Sequence, residues 1–358
     1  MTTRVVVAMS GGVDSSVAAA LLKEQGHEVI GLMMRLWSEP GQEAFNRCCT
    51  PDALAHARHI ADMLDIPFYV VDTKDVFYNT IVQFFIDGYT AGVTPNPCVE
   101  CNRHIRWDFL LNKALSLGAT HLATGHYART RTITTNTTTN YQLIKALDPL
   151  KDQSYVLHVL GQQQLSHAMF PVGEFTKPAI RDLARKFNLP TAERPDSQDL
   201  CFISDKDYHR FLNDHAPGLA QPGPILNRAG QVLGQHQGLP FYTIGQRKGI
   251  GVAAAHPLYV LGTDPGRNAL IVGPVEELGQ TTMRVGRINW TTGLIPTDPF
   301  ECGIKIRYKA TERRGTVTPL APDRVGVTFA EPARDVTPGQ AAVFYEGDVV
   351  LGGGIILK

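Results

Sequence analysis

The chain has no run of about eighteen apolar residues, so no transmembrane helix of ordinary length is expected. Its start lacks the charged, apolar and small-residue regions of a secretory leader, which predicts a cytoplasmic protein. Neither sign of charge is in excess: 34 Lys and Arg balance 34 Asp and Glu. A general nucleic-acid coat is therefore excluded, and any RNA must be met by local basic patches. Cysteine is scarce, with 6 in 358 residues, at 48, 49, 98, 101, 201 and 302. In a cytosolic chain such thiols are catalytic, metal-binding or inert rather than a disulfide framework. Internal repeats are missing, as is the Gly-Lys-Ser/Thr of a Walker loop. A second CxxC that would complete a zinc ribbon is also missing.

What is present is an ordinary globular composition, 43% apolar and 19% charged, with length for two or three domains. Near the N-terminus Arg4-Val5-Val6-Val7-Ala8-Met9 reads as a buried parallel strand. Val17–Lys23 reads as a helix ended by Gly26. Between them lies Ser10-Gly11-Gly12-Val13-Asp14-Ser15-Ser16. A Gly turn leading into a helix N-terminus offers backbone N–H groups and a positive dipole end to a phosphate or pyrophosphate. The serines add hydroxyl donors, and Asp14 can hold a metal ion such as Mg2+. This stretch resembles the SGGxDS signature of the ATP pyrophosphatases, which cleave ATP between its α and β phosphates.

Further strands are expected at 28–37, 68–72 and 121–127, alternating with helices from Thr50-Pro51-Asp52, around Val76–Phe85 and over about Ile105–Leu117. That alternation predicts a doubly wound parallel α/β sheet of Rossmann-like type. Residues 130–141, nearly all Thr and Asn, read as a hairpin tip. Lys177–Phe187 reads as a helix with Pro178 in its first turn. From about 206 Gly and Pro become frequent and helical patterns stop. The expected domains are a catalytic domain over 1–205, a small linking domain over 206–273 and a barrel over 274–358. The last alternates in period two and predicts a closed antiparallel β-barrel of six or so strands.

Cys98-Val99-Glu100-Cys101 is either a pair of structural thiols or a reactive thiol on a loop, favoured as thiolate by Arg103, His104 and Arg106. Cys201, followed by Phe202-Ile203, could equally be core. Gly249-x-Gly251-x-x-Ala254 mimics a dinucleotide fingerprint but follows no strand. Cys48-Cys49 and Cys302 have no partner pattern.

Taken together, SGGVDSS, Asn96-Pro97-x-x-x-Cys101-Asn102, Gly125-His126-Tyr127, Lys151-Asp152-Gln153-Ser154-Tyr155, Asp196-Ser197-x-x-x-Cys201-Phe202-Ile203 and Thr243–Gly251 resemble the bacterial tRNA-specific 2-thiouridylases over essentially the whole chain. The resemblance implies ATP-dependent replacement of O2 by sulfur at the wobble uridine of tRNA, with adenylation, pyrophosphate release and sulfur transfer from a persulfide. It implies that Cys201 carries the persulfide, loaded by an upstream sulfur carrier or cysteine desulfurase, and that Cys101 is the partner nucleophile. Ala8, Met9, Ser10, Gly11, Gly12, Val13, Asp14 and Ser15 would bind ATP phosphates, with Met34 and Gly125 near the adenosine. Asn96, Pro97 and Cys98 would meet the target base. His126, Lys151, Asp152, Gln153, Arg307, Tyr308 and Gln340 would meet tRNA. Lys305, Arg307, Lys309, Arg313 and Arg314 form a cationic run suited to phosphates, or equally a solvated barrel face.

Many members of the family have Asp at the position of Cys98; here its acid/base role is unfilled or passes to another group such as Glu100 or a water. Cys98, Cys101 and Cys201 could also hold a [4Fe–4S] cluster. Rival readings are an amide-forming or lysidine-forming ATP pyrophosphatase, a nucleotide sensor, and an RNA-binding module without catalysis. No heptad or exposed apolar stripe is evident, so a monomer is expected.

Overall fold

The computed structural model describes residues 3–41, 50–195 and 200–358. Cys48-Cys49 and Asp196–Asp199 lie outside them. The first half is built on β1 (Arg4–Ala8), β2 (Glu28–Arg35), β3 (Phe68–Asp72), β4 (His121–Thr124) and the two-residue β7 (Ala168–Met169). These form a parallel sheet in the order β3-β2-β1-β4-β7. Val5, Val6 and Val7 are all fully buried and alternate between two cores. Val5 and Val7 pack under helices α1 (Val13–Glu24), α2 (Pro51–Met63) and α5 (Lys177–Lys186). Val6 faces the opposite layer with Val99, Trp107 and Leu110. Burying each valine contributes about 1.5–3 kcal/mol, which fixes the register against slippage. Helix α2 starts as expected, with the Thr50 hydroxyl accepting from Ala53 N at 3.0 Å and Pro51 following.

Two helical stretches complete this half: α3, residues 74–90, and α4, residues 97–116. The segment after Asn96, expected as a loop, is the first turn of α4. Its cause is local: the Asn96 side chain accepts from Val99 N at 3.3 Å, and Pro97 occupies the first helical position. Cys98 and Cys101 therefore ride on a helix, and Cys101 opens a π-helical stretch, Cys101–Leu110.

The second half follows the linking helix α6 (Tyr208–His215). Strands β8 (Gly223–Leu226), β9 (Val232–His236), β10 (Tyr259–Asp264) and β11 (Ala269–Gly273) form a separate sheet in the order β10-β11-β8-β9. Six antiparallel strands then close on themselves: β12 (Gln280–Trp290), β13 (Phe300–Lys305), β14 (Arg313–Ala321), β15 (Arg324–Ala333), β16 (Ala341–Glu346) and β17 (Val349–Ile356). The circuit β12-β15-β14-β13-β16-β17 is closed by β12–β17 pairing, which is the expected barrel. Its core holds Cys302, whose thiol burial pushes up to about 12, so this cysteine is inert.

The expected hairpin is strands β5 (Ala128–Thr134) and β6 (Thr139–Lys145), with paired strands flanking a short turn. Its far end, residues 131–140, is exposed, as expected of a tip, while its base reaches the barrel. β6 pairs with β17 at Val349, joining the hairpin to the barrel sheet. One apolar cluster runs across that junction, from Val6, Leu122 and Tyr155 to Ala341, Val343, Tyr345 and Val350. Among the described residues no helix is long and apolar enough to cross a membrane.

Candidate active site

In the strand order β2-β1-β4 the chain leaves β1 and β4 at a topological switch point, where open parallel sheets form a crevice. Gly11, at φ +72°, makes the turn after β1, and a Cβ there would lie 2.6 Å from the Ala53 carbonyl oxygen. Gly12 then caps α1, and no side chain satisfies that cap. The Ser15 and Ser16 hydroxyls donate back to the Gly12 carbonyl at 3.3 and 2.7 Å, while Ser10 N donates to Ser15 Oγ at 3.2 Å. Opposite, Gly125 follows β4 so closely that a Cβ would stand 2.7 Å from Ser15 N and 2.9 Å from Asp14 C. The result is a bare-backbone cradle at a helix N-terminus, which fits the phosphates of ATP.

Asp14 is held by two residues that sequence reasoning missed. Lys177 Nζ bonds its carboxylate oxygens at 2.7 and 2.9 Å, and the Tyr127 hydroxyl donates at 2.7 Å. Lys177 is buried at the first position of α5, with its backbone N–H on Asp148 Oδ2 at 2.9 Å. A cation at a helix N-terminus opposes the dipole, so Lys177-Pro178 was itself a sign that an anion waits nearby. Arg194 was missed as well; its guanidinium donates to the Gly11 carbonyl at 2.7 Å and braces the turn.

The thiols lie beyond the carboxyl end of β2. Cys101 is buried and Cys201 half-buried in one apolar cluster with Leu36, Trp37, Phe85 and Phe202, and Met34 packs against it. Cys98 is exposed on the first turn of α4. Burial pushes the Tyr308 phenol up, with Asp152 and Cys98 adding to the shift, so barrel and helix meet at this point.

Several residues expected to meet RNA have side chains bonded within the protein. His126 is buried, its Nε2 2.9 Å from Arg106 and its Nδ1 2.7 Å from the Thr124 hydroxyl. Arginine can only donate, so Nε2 accepts. Burial, aided by Arg106, lowers the His126 pKa well below its ordinary value. Asp152 is buried and accepts from Ala146 N, Ser154 N and the Ser154 hydroxyl. Gln153 accepts from Tyr127 N at 3.0 Å, and Gln340 donates to the Thr94 carbonyl at 2.9 Å. Arg307 is half-buried and donates to Ile244 O and the Thr337 hydroxyl at 2.7 and 2.6 Å. Lys151 is half-buried, while Lys309 and Arg314 are exposed.

Glu100, one of the groups expected to take an acid/base role, has its carboxylate engaged by cationic side chains. It is buried on the far side of α4, with its Oε2 3.2 Å from His104 and 3.1 Å from barrel residue Arg287, and with Arg103 at 3.8 Å. The donor set does not suit an iron–sulfur cluster: among the described residues no three His, Cys, Asp or Glu side chains are gathered to hold a metal. Cys98 is exposed, Cys101 buried and Cys201 half-buried.

Cradle, switch point and carboxyl-edge thiols define a nucleotide-binding domain of the ATP-pyrophosphatase class. Family models match all three parts of the chain: "tRNA methyl transferase HUP domain" over residues 3–205, "tRNA methyl transferase PRC-barrel domain" over 209–274 and "Aminomethyltransferase beta-barrel domain" over 280–356. The tRNA-specific 2-thiouridylase MnmA of Geobacter metallireducens is 49% identical over 99% of this chain and 96% of its own length. That of Roseiflexus castenholzii is 45% identical over 99% of each. The chain belongs to the tRNA-specific 2-thiouridylase family, a family of tRNA sulfurtransferases. Among solved structures, the U34-tRNA thiolase NcsA from Methanococcus maripaludis with its [4Fe-4S] cluster is 22% identical, with a TM-score of 0.36 over 60% of this chain and 67% of that one.

Proposed function

We propose that this protein thiolates the wobble uridine of tRNA at C2, using ATP and Mg2+. The observation that carries the reading is that Cys101 and Cys201, one hundred positions apart in sequence, share a single apolar cluster against which Met34 of β2 also packs. An amide-like carbonyl oxygen leaves poorly; adenylation of O2 releases pyrophosphate and converts that oxygen into part of AMP. A persulfide on Cys201, loaded by an upstream carrier or desulfurase, supplies the terminal sulfur to C2 as AMP departs. Cys101 attacks the Cys201 sulfur by thiol–disulfide exchange, frees the terminal sulfur and leaves a Cys101–Cys201 disulfide for external reduction.

The loop Ala8–Ser15 with Gly125 and Met34 would hold the nucleotide, and Asp14, whose carboxylate Lys177 and Tyr127 engage, would hold the Mg2+ ion. Asn96, Pro97 and Cys98 receive a base that has left the anticodon stack, at a cost of a few kcal/mol of unstacking. Lys151 and Tyr308 would meet the RNA, with His126, Asp152, Gln153, Arg307 and Gln340 shaping the surface behind them. The enzyme acts in the cytoplasm as a monomer.

The test is nucleoside mass spectrometry on tRNA incubated with the protein, Mg-ATP and a persulfide-generating desulfurase. Wild type is expected to form 2-thiouridine, and Cys101→Ser and Cys201→Ser to form none while still binding ATP. Product from Cys201→Ser would sink the persulfide role.

A further inference from the structure

The linking domain carries a stretch that none of these roles uses, Thr243–Gly251 with its exposed pair Arg247-Lys248. Resting on the tRNA reading above, we propose that this loop is a built phosphate clamp for the substrate RNA backbone, and that Arg307 serves it as a positioning residue.

The loop is irregular but closely tied. Gln246 knits it from inside: its Oε1 accepts from Thr243 N at 3.1 Å and its Nε2 donates to the Lys248 carbonyl at 2.9 Å. Gly245 N donates to Val260 O at 2.8 Å, and Val260 N returns a bond to Gln246 O at 2.9 Å. Ile250 is buried in the linking-domain core and anchors the far end. Gly245, Gly249 and Gly251 all have positive φ, at 85°, 76° and 78°, so the chain takes three turns that other residues resist. Between those turns Arg247 and Lys248 project into solvent.

The barrel side fixes where they project. Arg307 reaches from the barrel to the Ile244 carbonyl, and its other partner, the Thr337 hydroxyl, donates to Asp335 O at 2.9 Å. A Cβ on Gly245 would fall 1.9 Å from Asp335 Oδ1, so the loop lies flush on the barrel. The same barrel segment continues to Pro338, whose carbonyl accepts from Thr94 N at 3.0 Å, and Asn96–Cys98 follow directly. The clamp is thus continuous with the surface proposed for the target base.

Charge supports the occupant. No Asp or Glu occurs between Asp214 and Asp264 in a chain of zero net charge. The one nearby carboxylate the contacts show, Asp335, is offset by Arg307. Among the described residues no carboxylate pairs with Arg247 or Lys248. Two unneutralised cations on a pinned loop match adjacent phosphodiesters.

The experiment measures binding of full-length tRNA by the whole chain across a salt series, for wild type and R247A/K248A. Each phosphate contact adds about 0.7–0.9 to the log–log salt slope. The double variant should therefore lose about tenfold less affinity than wild type between about 50 and 200 mM salt. Its KM for tRNA should rise by more than its kcat falls. R307A should raise KM in the wild-type background and add nothing in the R247A/K248A background, where the loop it positions is already disarmed. An unchanged salt slope would overturn the clamp. A full additional effect of R307A would overturn the positioning role, since Arg307 would then touch RNA itself. A wild-type chain that neither binds nor thiolates tRNA would remove the parent reading and the clamp with it.

Discussion

Lys177 shows how much of this site depends on single side chains. It is nearly buried, its ammonium bonds both carboxylate oxygens of Asp14, and its backbone N–H is anchored on Asp148. Lys177→Ala leaves Asp14, itself partly exposed, with the Tyr127 hydroxyl as its remaining partner among these. Loss of this charge-assisted pair should cost about 1–3 kcal/mol in urea unfolding and sharply reduce ATP-dependent product formation. Retention of both would show that the ion pair is idle. His158 sets a pH limit of a different kind. Its ring is fully buried with Nδ1 2.7 Å from the Tyr155 carbonyl, and burial lowers its pKa to about 4. In the unfolded chain it returns to about 6.5. As pH falls through that window the unfolded state takes up a proton that the folded state refuses, so stability is lost, by up to about 1.4 kcal/mol per pH unit. His126 adds in the same direction. Unfolding free energy measured from pH 7 to pH 4 should flatten in His158→Asn, which keeps a donor at the Nδ1 position. Lys177 and His158 were both invisible as site or switch residues in sequence, because burial depends on what the rest of the chain places around them.

At the scale of the element, the legible parts were those whose cause is local. Three valines before a Gly-Gly turn specify strand, cradle and helix without help from elsewhere, and Thr50-Pro51 specifies the start of α2. Asn96-Pro97 carried the same signal, yet α4 was expected only from Ile105, since the polar CxxC stretch hides the start of the helix. Gly125 lies between these cases: the glycine is plain in sequence, but its reason is the backbone of Ser15 across the crevice. Gly125→Ala would drive a methyl group to within 3.0 Å of Asp14 and Ser15. Equilibrium binding should show ATP affinity lost at least tenfold while far-ultraviolet circular dichroism stays near wild type. Unaltered affinity would place the nucleotide elsewhere.

Across the whole molecule the two ends of the chain are less separable than their composition suggests. Period-two alternation revealed the six-stranded barrel, but not that Ala341, Val343, Tyr345 and Val350 share a core with Val6, Leu122 and Tyr155. Long-range packing of this kind leaves no local pattern. Ties across the same seam include the Tyr155 hydroxyl on Ala341 O at 2.8 Å and the Arg287–Glu100 pair. A fragment ending at residue 205 would bare that apolar face. It should elute as aggregate in size-exclusion chromatography, where a compact monomeric fragment would contradict the shared core.

That seam also has a consequence in time. The ribosome delivers β7 about 170 residues before β16, an interval on the order of 10–35 s at ordinary elongation rates. Throughout it, the nascent first half carries an apolar face whose covering strand has not yet been made. The protein's exposure to chaperones and to misassembly is therefore set by translation speed over the linking domain and barrel, so slow codons there would lengthen the vulnerable period of a domain already synthesised.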